Sequence, residues 1–308
     1  SISNTTTAPI KVLDAKKVIL TLADNTTNTI TDSSRLSTEE DYSAVIYSKE
    51  DLIINGNGTL NVNAGYRNGI KSTDDCIIVS GTLNITSTED GIIGKDLCGI
   101  VAGDININAG SDGIKSTYDT DTTKGNVIIE GGNITIKASN DGIQAENILV
   151  INDGTINIKT NNGAADTTQT HTDNMDMDRG GFGFNNNKTT TTTDDTVESR
   201  KGIKAGNMLI INDGDITIDS DDDSVHCNSE INIYGGTINA ATGDHGVHAD
   251  DLLTVNGGTI NITQCYEGIE ADDIVINDGD ISVVSSDDGI NSSDGSITIN
   301  GGNLLINA

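Results

Sequence analysis

Apolar and polar residues alternate with a period of two along most of the chain, as in Ile231-Asn232-Ile233 and Thr259-Ile260-Asn261-Ile262. A period of two places successive side chains on opposite faces of an extended strand, so these segments read as strands with an Ile row inward and a Thr/Asn row outward. The runs are short and are separated by Asn-Asp-Gly or Asn-Gly-Gly, as at Asn152-Asp153-Gly154, Asn212-Asp213-Gly214 and Asn256-Gly257-Gly258. Asn and Gly tolerate the left-handed backbone region that a sharp corner requires.

The strands also recur at a fixed interval. An Asp-Gly-Ile phrase gives the register: its glycine falls at Gly69, Gly91 and Gly113, each 22 residues after the last, then at Gly142 after a seven-residue insertion around 118–125. Gly202, Ser224, Gly246 and Gly268 keep the 22-residue beat and Gly289 follows at 21. A sustained period of this length marks a solenoid. Three strands of about three to five residues, with their corners, fill one unit, and stacking units about 4.8 Å apart pairs each strand with its copy in the next. The predicted fold is all-β, a right-handed parallel β-helix of about eleven coils forming a single domain over residues 1–308. Ser1–Pro9 reads as linker, and Ser37-Thr38-Glu39-Glu40 as a capping box opening a short covering helix. Residues 161–200 form a low-complexity insertion rich in Thr, Asn, Gly and Asp, with Phe182 and Phe184 as its large apolar groups.

Composition fits this picture. Only 34% of the residues are hydrophobic, 3% are aromatic and there is no Trp, which suits a thin column of Ile, Leu and Val rather than a broad core. Cys76 and Cys98 are one repeat apart in an inward row, where a bridge is sterically allowed and free thiols are expected; Cys227 and Cys265 are too far apart to pair. Charge narrows the partners. Seventeen basic against 47 acidic residues give a formal charge of −30, which repels nucleic acid and anionic membranes and calls for cations instead. No apolar run is long enough for membrane insertion, and the chain starts at Ser1 without a charged and apolar leader, so an extracellular or cell-surface monomer is expected, its signal sequence absent from this chain.

The candidate chemistry sits at the corner before each Gly-Ile, at Asp90, Asp112, Asp141, Asp222, Asp223, Asp244, Glu267, Asp287 and Asp288. Equivalent residues stack in a solenoid, and two carboxylates about 5 Å apart repel by roughly 3 kcal/mol at an effective dielectric near 20. Calcium, with six to eight oxygen ligands, would relieve that repulsion, and more than one ion is expected. Three residues further on runs a second row: Lys71, Ile93, Lys115, Gln144, Lys204, His226, His248, Glu270 and Asn291. There His226, His248 and Glu270 are successive copies beside Asp223, His245 and Glu267, a donor set suited to a transition metal such as zinc, or else a row of neutral stacked imidazoles. Tyr66, Arg67, Lys71, Lys115 and Tyr118 make a cationic and aromatic patch able to receive an acidic sugar. No residue is assigned as catalytic.

With the coil register and Asp287-Asp288-Gly289-Ile290-Asn291 in view, the chain resembles the pectate-lyase-like β-helices, and among them the secreted bacterial proteins that bind cellulose and pectin. The resemblance covers roughly Val45–Ala308 apart from the insertion. It implies calcium roles for Asp287 and Asp288, for Glu267 and Glu270 in Glu-Gly-Ile-Glu, and for Asp222 and Asp223. It also implies a calcium-dependent, non-catalytic module that recognises plant cell-wall polysaccharide, namely cellulose and acidic pectic polymers such as polygalacturonate. The alternatives are a calcium-dependent polysaccharide lyase acting by β-elimination, for which Lys204 is the nearest base, and an ice-binding or structural solenoid built on the Thr/Asn rows.

Overall fold

The computed structural model describes residues 1–33, 42–164 and 198–308, and in these the regular elements are all strands. They form three parallel sheets that run the length of the molecule. The first has twelve strands, from Ile2–Asn4 to Asn303–Asn307; the second has eleven, from Ile10–Val12 to Ile290–Ser292; the third has eleven, from Val18–Leu22 to Ile297–Ile299. The chain visits them in that order, then returns to the first sheet one coil higher. The protein is a parallel β-helix, as the 22-residue period predicts.

Register is kept residue for residue between coils. In the first sheet Leu83, Ile105, Ile134 and Ile156 lie directly above one another, each 1% exposed or less, while Thr82, Asp104, Asn133 and Thr155 form an outward row. The inward rows of all three sheets meet in one continuous core of Ile, Leu, Val and Ala. Truncating one of these buried isoleucines to Ala would cost about 2–5 kcal/mol, because the rigid ladders on either side cannot collapse into the hole.

The Asp-Gly-Ile glycine has a packing reason. A Cβ on Gly91 would stand 2.5 Å from the Gly113 carbonyl oxygen and 2.6 Å from Cγ2 of Ile107, the isoleucine that caps it from the first sheet. Within the series from Gly69 to Gly289 one coil departs from the rule and shows why it holds. Ser224 takes the glycine position there, and the residue in the capping place is Ala240 instead of Ile. A side chain gained on one strand is offset by three carbons lost on the next. At the corner from the third sheet back to the first, Gly154, Gly214 and Gly258 adopt φ of 127°, 116° and 90°, which only glycine accepts easily.

Ser1–Pro9 is not linker: Ile2–Asn4 pairs in register with Ile30–Asp32 and opens the first sheet, a pairing too short to leave a legible alternation. The capping box at 37–40 lies outside the described residues, as do residues 165–197 of the insertion with Phe182 and Phe184. The insertion's described ends are seated: Ala164 N–H donates to Asp219 Oδ1 at 2.8 Å, and Gln264 Nε2 donates to the Ala164 carbonyl at 2.8 Å. All four cysteines are free and buried; Cys76 and Cys98 are stacked neighbours, and burial pushes the Cys98 thiol up to about 12.

Candidate functional site

The corner between the first and second sheets repeats in every coil, and its side chains take part in the stacking itself. The backbone N–H of Asp112 donates to Asp90 Oδ1 at 3.1 Å, that of Asp141 to Asp112 Oδ1 at 3.0 Å, that of Lys201 to Asp141 Oδ1 at 2.7 Å, and that of His245 to Asp223 Oδ1 at 3.1 Å. Aspartate is therefore used here because a short acceptor at this position reaches the next coil's orphan donor. In the N-terminal half the remaining charge is met within the protein. Lys115 Nζ donates to Asp112 at 2.6 Å; Asp141 accepts from the Ser199 hydroxyl at 2.8 Å and lies 3.7 Å from Lys204 Nζ. Burial raises the carboxyl pKa of both Asp90 and Asp141, with neighbouring Asp112 adding to the effect.

The C-terminal half is built around Asp223, which is 1% exposed. Its Oδ2 accepts from Lys201 Nζ at 2.6 Å and lies 2.8 Å from His226 Nδ1 and 3.6 Å from His248 Nδ1; its Oδ1 is 2.8 Å from His245 Nδ1. Burial alone would raise this carboxyl, but Lys201 and three imidazoles outweigh it and hold its pKa well below the ordinary value. His245 is next in the chain of contacts. Its Nε2 lies 2.9 Å from Glu270 Oε2 and 3.7 Å from Glu267 Oε2. Burial lowers the His245 pKa, yet hydrogen bonds to Asp223 and Glu270 lift it to about 11. Glu270 is lowered in return by His245, whereas Glu267 is raised by burial and by the charge of Glu270.

Of the residues singled out as metal ligands, Asp222, Asp223 and Asp244 offer oxygens within 4.8 Å of one another, and His245 joins Asp223 with His248 and Glu267 with Glu270 in two further groups of the same span. Asp90, Asp112 and Asp141 are engaged by the ladder, Asp112 and Asp141 also by lysine, and His226 has Nδ1 2.8 Å from Asp223 Oδ2 and Nε2 2.9 Å from Asn228 Oδ1. Asp287 and Asp288 are exposed on the last full corner, and the group that meets Glu267 from that coil is Asn291, whose Nδ2 donates at 3.3 Å. His245, named in the sequence only as a neighbour of the second row, is the residue that joins the groups.

The cationic patch divides between two corners. Arg67, in the left-handed region at φ 56°, faces the Tyr66 ring at 5.6 Å and Glu89 at 3.7 Å; Lys71 Nζ donates to the Ser43 hydroxyl at 3.3 Å and is held below the ordinary lysine pKa by burial. Lys115 belongs to Asp112. Tyr118 stands on the corner between the second and third sheets with Lys95 and Lys124 over its ring at 4.8 and 5.0 Å, and Lys124 pairs with Asp96. On this same corner Asp51, Asp74 and Asp75 bring three carboxylates within 4.8 Å. Burial, then the charge of Asp51, raises the pKa of both Asp74 and Asp75. The sequence hides this trio because Leu52 pairs with Cys76, a step of 24 rather than 22 residues.

The outer face of the first sheet is a flat field of Thr and Asn. Its amides stack along the axis, Asn84 Nδ2 donating to Asn61 Oδ1 at 2.9 Å and Asn106 Nδ2 to Asn84 Oδ1 at 3.1 Å. Two shallow grooves lie on it, one bordered by Asn84, Thr86, Asn106, Asn108, Thr135 and Lys137, the other by Asn239, Thr259, Asn261, Asp280, Ser282 and Asn303.

Comparison with known proteins bears on these surfaces. A family model described as carbohydrate-binding domain-containing protein matches residues 1–246 and 241–308. A carbohydrate-binding domain-containing protein of Acetivibrio thermocellus is 39% identical over 89 residues, which is 28% of this chain and 31% of that protein. The chain thus spans under a third of the length of the curated relative it matches. Among solved structures, a gadolinium derivative of the polysaccharide lyase-like protein from C. thermocellum is similar with a TM-score of 0.50 and 36% identity, covering 52% of this chain and 66% of that one.

Proposed function

The chain belongs to the family of carbohydrate-binding domain-containing proteins, and from that premise we propose that it binds plant cell-wall polysaccharide without cleaving it, taking acidic pectic polymers through calcium. The observation that carries this reading is the Asp51–Asp74–Asp75 trio. Its oxygens span no more than 4.8 Å, the separation of two opposed ligands on an ion at about 2.4 Å, and burial, then the charge of Asp51, raises the carboxyls of Asp74 and Asp75 despite Lys124 nearby. Calcium there would bridge to a uronate carboxylate, with the charge of Lys124 already acting on Asp74 and Asp75, and with Lys124 and Lys95 flanking the Tyr118 ring at 5.0 and 4.8 Å. Asp222 and Asp223 are weaker candidates for the same task, since Lys201 already pairs with both.

Neutral glucan such as cellulose fits a different surface, the flat Thr/Asn face of the first sheet, where hydrogen-bonding groups repeat once per coil. Such a substrate places the protein outside the cell or on its surface. The test is retention on polygalacturonate and on cellulose, with and without EDTA. Wild-type protein is expected to lose pectic retention in EDTA and in Asp74→Asn/Asp75→Asn, and to keep cellulose retention under both conditions. Pectic retention that survives both treatments overturns the calcium reading.

A lyase reading is favoured by Lys71 alone. A base that removes the proton beside a uronate carboxylate needs a lowered pKa, and Lys71 has one, with Arg67 close by; Lys201, beside the acidic corner, is held above its ordinary value by Asp223 and Asp222 despite burial. Release of unsaturated oligouronides that stops in Lys71→Met would establish that activity.

A further inference from the structure

His245 and His248 each turn one ring nitrogen to a buried carboxylate and the other to a glutamate one coil further on. Asp223 lies 2.8 Å from His245 Nδ1 and 3.6 Å from His248 Nδ1. On the opposite edges of the rings, His245 Nε2 is 2.9 Å and His248 Nε2 4.0 Å from the same atom, Glu270 Oε2, and Glu267 Oε2 stands 3.7 Å from His245 Nε2. Both Nε2 atoms thus face Glu270 Oε2 and both Nδ1 atoms face Asp223, while Asp250 Oδ1 also lies 3.7 Å from His248 Nε2. A carboxylate that holds one N–H of a metal-binding histidine fixes the ring, and in His245 the ion would take the place of the Nε2 proton that now faces Glu270.

We infer that His245 Nε2, His248 Nε2 and the carboxylates of Glu270 and Glu267 form a site for a divalent transition ion of the zinc type, with Asp223 as its positioning residue. Two imidazoles and two carboxylates suit zinc, cobalt or nickel, whereas calcium takes oxygen alone. A tetrahedral ion bound at about 2.0–2.1 Å keeps its donors about 3.3 Å apart. The separations of 2.9, 3.7 and 4.0 Å found here lie within an ångström of that value on either side. Asp223 itself is committed to Lys201, which is why it serves behind the imidazoles rather than on the ion. His226 is left out of the set because its Nδ1 lies 2.8 Å from Asp223 Oδ2 and its Nε2 2.9 Å from Asn228 Oδ1.

The solenoid assembles the four ligands from two copies of one corner. His248 pairs directly with Glu270, and the coils carrying them are joined by Gly246 N–H to the Glu267 carbonyl at 2.9 Å and Val247 N–H to the Gly268 carbonyl at 3.0 Å. The spacing of the site is thus that of the backbone ladder, set before any ion arrives. The inference is independent of the calcium reading, whose carboxylates occupy a different corner.

The test uses the full chain, stripped with chelator, dialysed and titrated with zinc chloride alone by calorimetry, then with cobalt chloride followed by visible absorption. One equivalent of zinc is expected, with micromolar affinity or tighter, unaffected by millimolar calcium, and the cobalt form should show the intense bands of four-coordination. His245→Ala/His248→Ala should abolish binding. Glu267→Gln/Glu270→Gln, which keeps side-chain shape, should do so in protein whose thermal melt stays cooperative. Asp223→Asn should retain one equivalent and weaken it roughly 10- to 100-fold, while His226→Asn should change nothing. No zinc uptake by wild type, uptake undiminished in the double-histidine or double-glutamate variant, or displacement by calcium would overturn the site; full affinity in Asp223→Asn would overturn its positioning role.

Discussion

Asp112-Gly113-Ile114-Lys115 and His245-Gly246-Val247-His248 occupy the same corner and the same two rows of one solenoid, several coils apart. Their backbones make the same hydrogen bonds to the coil above: Gly113 N–H to the Asp141 carbonyl at 3.0 Å, Gly246 N–H to the Glu267 carbonyl at 2.9 Å. What differs is where charge is balanced. Asp112 and Lys115 neutralise each other inside one coil, leaving nothing for a ligand. His245 and His248 look across coils, to Asp223 below and Glu270 above, and so leave a set of donors facing one point. A stacked fold settles distances once for all coils; which side chains stand in the two rows, and whether a lysine among them neutralises the carboxylates, sets one corner apart from the next.

The largest effect expected from probing this contrast is at Lys201. Lys201→Met leaves Asp222 without its cation and Asp223 with the imidazoles alone, and breaking a buried pair of this kind costs about 3–5 kcal/mol. Lys115→Met strips a more accessible pair and should cost about 1–3 kcal/mol. Denaturant midpoints for the two variants measure the difference, and equal losses would mean that the two halves of the row are balanced alike.

Next in size is the Ser224 and Ala240 exchange, which asks whether both regions share one backbone. Ala240→Ile should cost about 1–3 kcal/mol by overpacking against Ser224. Adding Ser224→Gly should recover most of it, since the pair then matches Gly246 with Ile262. Additive losses in the double-mutant cycle would show that this coil departs from the others in more than two side chains.

The pH profile separates the halves more gently. Asp90 and Asp141 have raised carboxyls in the folded protein, so their protonation favours folding, and they add stability as pH falls from neutral through those values toward 3.8. Glu270 has a lowered carboxyl, so its contribution is present above 4.5 and is lost as pH falls below it. Melting temperatures of chelator-treated protein between pH 7 and 3 should therefore rise less steeply in Asp90→Asn and Asp141→Asn, and fall less steeply in Glu270→Gln. The smallest change in stability is expected from His245→Asp with His248→Lys, which turns the histidine corner into a copy of the Asp112 corner. It should melt close to the parent and bind no zinc.

The fold was legible because a period of two inside a period of 22 has few other solutions, and the rows inferred from spacing, Lys71 through Asn291 among them, are the rows that pair. Which corner residues are free to bind was less legible. Counting carboxylates predicts repulsion, but it does not register that Asp90, Asp112 and Asp141 accept backbone N–H bonds, or that Lys201 occupies the aspartate's place in its own coil and reaches Asp223. The importance of His245 depends on ring orientation, which spacing does not carry. The Asp51–Asp74–Asp75 trio was hidden by two extra residues, and the pairing of Ile2–Asn4 by brevity.

The register survives interruption. Leu97 pairs with Asn126 across the insertion that follows Ser116, and Ile143 pairs with Ile203 although 60 positions separate them, against 22 in most other coils. Both excursions leave and rejoin at a corner, where chain length is not phased to the strands, and closing a longer loop costs little more than closing a short one. Corners are therefore the places where such a protein can acquire new sequence by recombination without refounding its architecture, and where a reporter or affinity module could be spliced in with every row above and below still aligned.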